Sequence, residues 1–120
     1  MSLACNRTIT NGFDLALRGE TKHFSLTAQD QINLMSLSLM AQTQSLIPYH
    51  ADGEETTFYT NDEINTIVQT ATELKIYNTT YYNSLKGYIN SLETIEEISA
   101  ITYGVSIPEE YKSEALKVLE

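Results

Sequence analysis

Within Pro48–Thr60, PYHADGEETTFYT, a histidine and three carboxylates stand close together: His50, Asp52, Glu54 and Glu55. Imidazole nitrogen and carboxylate oxygen are donors that zinc or iron accepts, and His50 and Asp52, two apart in an extended segment, share one face. Such a site needs a third or fourth ligand on rigid scaffold, and His23 is the only other histidine. A calcium loop needs acidic side chains at alternating positions, which Asp52-Gly53 does not supply. Asp52-Gly53 is also a strong turn dipeptide: glycine reaches positive φ freely and the aspartate can bond the local backbone. We read the stretch as a turn and assign no metal ligand. A metal-dependent hydrolase built on His50 and Asp52 is kept only as an alternative.

Other chemistry has less to stand on. No serine lies in a GxSxG setting, and neither GxxxxGK[ST] nor GxGxxG occurs. Cys5 has no cysteine or histidine companion in local spacing, which removes an internal disulfide, a structural zinc module and a thioredoxin-like motif together. Glu96 and Glu97 are helix neighbours that do not face each other across a cleft. No catalytic residue and no cofactor is assigned, and the chain is read as non-enzymatic. Tyr77, Tyr81, Tyr82 and Tyr88 form a stripe able to stack on sugars, which gives a carbohydrate-binding alternative; core packing and assembly also use such rings.

Charge excludes further classes. Sixteen acidic residues against seven basic give a net charge of -9, with Glu93, Glu96, Glu97, Glu109, Glu110 and Glu114 gathered toward the C-terminus. Phosphate backbones and anionic membrane surfaces are repelled, so neither nucleic acid nor membrane is expected as a partner. From Gln31 to Ala51 no Asp, Glu, Lys or Arg occurs, yet Asn33, Ser36, Ser38, Gln42, Thr43, Gln44 and Ser45 make the segment too polar for a membrane span.

The elements that position these residues follow from periodicity and caps. The first ten residues suit a short helix stopped at Asn11-Gly12. Alternation through Phe13, Leu15 and Leu17, then through His23 to Leu26, predicts a hairpin around Arg18-Gly19-Glu20. Thr27 with Asp30 caps a helix from Ala28 to about Leu46, on which Ile32, Met35, Leu39 and Leu46 form one apolar stripe and Leu34, Leu37 and Ala41 another. A second hairpin pairs Tyr49 and His50 with Thr56 to Tyr59. Thr60 with Glu63 is a capping box, with Tyr59 and Ile64 placed as a hydrophobic staple. It opens a helix from Asn61 to about Ser91, roughly 45 Å long at 1.5 Å per residue. Along it Ile64, Ile67, Ala71, Leu74, Asn78, Tyr81, Leu85, Tyr88 and Leu92 recur at spacings of three and four, a heptad-like seam with Asn78 at an apolar position and Gly87 as a candidate bend. Thr94 with Glu97 caps a third helix that Gly104 stops, and Pro108 precedes a last one carrying Tyr111, Ala115, Val118 and Leu119. The fold class is mainly α with an α+β character: long helices, bundle-like, interrupted by two short hairpins.

A chain of 120 residues falls in the range of a single domain with one core. Residues 1–3 and Glu120 read as cloning remnants, so residues 1–120 are expected to be one domain excised from a longer protein. The two apolar stripes of the charge-free helix and the long seam exceed what one surface-facing helix requires. A homo-oligomer is therefore expected, with Leu34, Leu37, Ile67, Leu74, Tyr81, Tyr82, Leu85 and Tyr88 as its interface.

The strings HFSLTAQDQINL, PYHADGE, FYTNDEI, YNTTYYNSLKGYI and AITYG, spread from about Ala4 to Gly104, resemble a family of uncharacterised domains at the C-terminal ends of bacteriophage and prophage tail or baseplate proteins of Gram-positive bacteria. The resemblance implies a structural or accessory role in the virion, synthesis in the bacterial cytoplasm, and other phage tail proteins as partners. It implies no catalytic residue.

Overall fold

The computed structural model describes residues 2–120. Its elements run α1 (Ser2–Thr10), β1 (Phe13–Leu17), β2 (Glu20–Phe24), α2 (Ala28–Met40), β3 (Leu46–Tyr49), β4 (Thr57–Thr60), α3 (Asn61–Ser91), α4 (Ile95–Ser99), a 3-10 turn at Glu109–Tyr111 and α5 (Glu114–Leu119). This is the mainly helical α+β architecture that the periodicities predict, with two two-stranded antiparallel sheets, β1-β2 and β3-β4. The described chain divides into two compact units, Ile9–Leu74 and Lys75–Glu120, the latter joined by residues 2–8.

In the Ile9–Leu74 unit the first hairpin is tighter than the alternation suggests. Leu17 pairs with Glu20, so Arg18 and Gly19 alone form the loop, both at positive φ (56° and 80°). That is the conformation a two-residue primed turn needs, and Gly19 adopts it without a Cβ penalty while Arg18 does not. Helix α2 starts where the Thr27/Asp30 capping box predicts: Thr27 Oγ1 accepts from the Asp30 amide and Asp30 Oδ2 accepts from the Thr27 amide at 3.0 Å. It ends six residues earlier than Leu46. Thr43 and Gln44 amides both turn back to the Met40 carbonyl, and Leu46, Ile47 and Pro48 continue as strand. A short apolar run does not distinguish strand from helix by its period, which is why the two merge in sequence. In the second hairpin Tyr49 pairs with Thr57 and Ile47 with Tyr59, so His50 lies beyond the strand rather than in it. The core of this unit gathers Phe13, Leu17, Phe24, Leu26, Leu34, Ala41, Ile47, Tyr59, Ile64 and Ile67. Tyr59 and Ile64, the staple positions, are both within it.

In the other unit Tyr81, Leu85, Ile107 and Leu116 are the buried centre, packed by Tyr88, Ile89, Ile101, Tyr103, Val105 and Tyr111. Length alone predicts one core; the buried apolar side chains form two clusters, one per unit. The last helix also differs from expectation. After the 3-10 turn, Lys112 is extended, and α5 restarts at a new cap in which Ser113 Oγ accepts from the Leu116 amide. Leu116 is then the buried residue, while Val118 and Leu119 face outward.

Candidate functional site

Asp52 bonds backbone and side chain of its own unit: its amide donates to the His23 carbonyl at 2.9 Å, and its Oδ1 accepts from the Ser25 amide and hydroxyl at 3.2 and 3.0 Å. Glu54 is ion-paired with Lys22 at 2.6 Å, and His50 Nδ1 lies 3.1 Å from the Ala51 carbonyl. Among the described residues, no three of His, Cys, Asp and Glu come together to hold a cation. The stretch thus makes a turn whose aspartate fastens it to β2.

The tyrosine stripe is spent largely on packing. Tyr81 is buried and donates its hydroxyl to the Val105 carbonyl, with Tyr103 edge-on at 5.1 Å between centroids. Tyr88 packs on Tyr111 at 5.3 Å. Tyr82 is half-buried, with the Lys86 ammonium 5.0 Å above its ring. Only Tyr77 of the four keeps an exposed ring, stacked on Tyr81.

The residues expected at an oligomer interface also lie mostly within one copy. Leu34 and Ile67 are buried in the Ile9–Leu74 unit, with Leu37 and Leu74 packed against that core. Leu85 and Tyr81 are buried in the other unit, with Tyr88 packed beside them. The heptad-like seam of α3 is therefore covered in each unit by the chain's own side chains. Asn78, at the polar position of that seam, is buried and accepts from the Tyr103 hydroxyl at 2.8 Å. Cys5 Sγ lies 3.5 Å from the Asn78 carbonyl, and burial raises the Tyr103 phenol far above its ordinary range.

What remains uncovered is the other stripe of α2. Ile32, Met35 and Leu39 are 56%, 71% and 67% exposed. At about 100° per residue they sit opposite Leu34, Leu37 and Ala41 around the helix. Beside this stripe Asn33, Ser36 and Leu37 join Pro48, Tyr49, His50 and Thr56 around an open depression of about 290 Å³. Burial, reinforced by the nearby Asp30 and Asp52 carboxylates, pushes the Tyr49 phenol up to about 12, so it stays a hydroxyl. Elsewhere, Ile95, Ile98, Val118 and Leu119 are also exposed, but on short helices that carry Glu96, Glu97, Glu114 and Lys117 among them. Leu46 and Phe58 are exposed as well, on the short charge-free strands β3 and β4, while the α2 stripe sets three such side chains on one helix face without charge among them.

A family model described as "Domain of unknown function (DUF4376)" matches residues 1–103. The chain belongs to this family. The match takes in both hairpins, α2, α3 and α4, and ends before the 3-10 turn and α5. No curated protein and no solved structure matches the chain. Among the described residues no helix is long and apolar enough to cross a membrane.

Proposed function

We propose that this domain is a non-enzymatic assembly module, and that it self-associates through the exposed α2 stripe of Ile32, Met35 and Leu39. The observation that carries the reading is that stripe: large apolar side chains on a helix whose sequence holds no charged residue after Asp30. The occupant is a second copy because of charge. A chain carrying -9 repels its like, and the segment without Asp, Glu, Lys or Arg is where two copies meet at the smallest electrostatic cost.

Magnitudes set the strength. Covering the stripe in both copies of a two-fold pair gains about 6–12 kcal/mol, taking about 1–2 kcal/mol for the exposed part of each of the paired side chains. Association costs about 4–15 kcal/mol before any net affinity remains. The pair is therefore weak and reversible on its own, and persists where copies are held together. The repeated, symmetric setting of a phage tail or baseplate supplies such a local concentration. Resemblance of HFSLTAQDQINL, PYHADGE and YNTTYYNSLKGYI to phage tail domains supports that setting.

Sedimentation velocity over a wide concentration range tests the reading. The native chain is expected to shift reversibly toward a larger species, and the Met35→Glu/Leu39→Glu variant to stay monomeric with its helical circular dichroism unchanged. A native chain that sediments as one monomer throughout, or a double variant that associates as well as the native chain, overturns it.

A further inference from the structure

His23 lies in β2 with both ring nitrogens against oxygen. Nδ1 is 2.7 Å from Asp14 Oδ1, its cross-strand neighbour, and Nε2 is 2.6 Å from the Asn11 backbone carbonyl. Asp52 Oδ2, from the turn of the second hairpin, is a further 3.7 Å from Nε2. A carboxylate and a peptide carbonyl can only accept, and a neutral imidazole carries one N–H. In either neutral tautomer one ring lone pair therefore meets an oxygen lone pair at hydrogen-bond distance. Only the doubly protonated ring satisfies both contacts.

We propose that His23 is a pH-sensitive pin, holding the α1–β1 junction, β1 and the turn of the second hairpin together as an imidazolium and releasing them when the ring loses a proton. The charged groups facing the ring are Asp14 and Asp52; neighbouring Lys22 is engaged with Glu20 and Glu54. Ser25 extends the network, its hydroxyl lying within hydrogen-bond distance of both Asp52 Oδ1 and Asp30 Oδ2. The Asp14 hydrogen bond, opposed by some burial and helped by the Asn11 carbonyl and both carboxylates, raises the basicity of His23 above the ordinary imidazole. A base strengthened by folding stabilises the fold fully below the unfolded value near 6.5, and that stability is lost as pH rises through the folded value.

The test is an NMR titration of the folded native protein, with the His23 signal assigned by comparison with the His50→Gln variant. The midpoint of His23 is expected above 6.5, and Asp14→Asn is expected to lower it. In urea melts between pH 6 and 9, the native chain is expected to lose stability that His23→Gln does not lose. A His23 midpoint at or below 6.5 in the folded protein, or equal pH dependence in the native and His23→Gln chains, overturns the proposal. Because the titration uses the native fold, it decides the matter even where a His23 variant fails to fold.

Discussion

Arg18 grips Glu63 with a two-pronged fork, Nε to Oε2 at 2.7 Å and Nη2 to Oε1 at 2.8 Å. The same Nη2 donates to the Phe58 carbonyl at 2.7 Å, and the guanidinium lies 5.0 Å from the Tyr59 ring centroid. Glu63 is at once the N3 residue of α3, accepting from the Thr60 amide at 2.9 Å while its own amide donates to Thr60 Oγ1 at 3.1 Å. The loop of the first hairpin is thereby tied to the start of the long helix. This explains why an arginine occupies a left-handed position that asparagine or glycine fills more readily.

Glu63 makes the fold acid-sensitive. The hydrogen bond from Arg18, against some burial and with Thr60 adding, holds its carboxyl down to about 2. A depressed carboxylate contributes stability that is present above the ordinary value near 4.5 and lost as pH falls toward 2. Thermal melts from pH 6 to 2 are expected to show Glu63→Gln less stable than native at pH 6 and converging with it at the acid end. Parallel curves for the two chains would contradict the assignment.

The same contact gives a sign for a double-mutant cycle. Arg18→Asn relieves the left-handed backbone but removes the fork. In urea melts it is expected to be more favourable in the Glu63→Gln background than in the native one. Equal effects in both backgrounds would mean that the fork carries no coupling.

Two glycines separate backbone need from tolerance. A Cβ at Gly12, whose φ is 80°, would lie 1.8 Å from the Phe24 carbonyl oxygen, so Gly12→Ala is expected to be strongly destabilising or to prevent folding. Gly87 lies inside α3 with open space around it, and Gly87→Ala is expected to raise stability by up to about 1 kcal/mol. Chemical denaturation of the two variants reads both signs.

Asn78 holds a buried polar contact rather than a gap in the seam. Tyr103→Phe removes its 2.8 Å donor, and a loss of about 1 kcal/mol is expected in urea melts. Asn78→Ala leaves the Tyr103 hydroxyl without that acceptor, and a loss of roughly 1–3 kcal/mol is expected. A neutral result for both would show that the contact carries no net stability.

Caps and turns were the legible part of this fold. Thr27/Asp30, Thr60/Glu63 and Thr94/Glu97 mark helix starts where the structure has them, because a cap is a local hydrogen bond. The overrun of α2 into Leu46 arises because a short apolar run reads alike as helix or strand, and the cap at Ser113 lacks the acidic residue three places on that marks the other three. The Asp14–His23 pair was hidden only by the loop length. With Arg18 and Gly19 as the whole turn, strand register places the two residues opposite each other. Two apolar stripes on α2 were visible, but which one the chain covers itself depends on the second hairpin and α3. That choice turns the expected contact residues Leu34 and Leu37 inward and leaves Ile32, Met35 and Leu39 outside.

Methyl NMR across a dilution series tests the central claim most directly. The signals of Ile32, Met35 and Leu39 are expected to move with concentration while those of Leu34, Ile67 and Leu85 stay fixed. Concentration-dependent shifts confined to Ile67, Leu85 and their neighbours on α3, or no shift anywhere at the highest concentration reached, would contradict it.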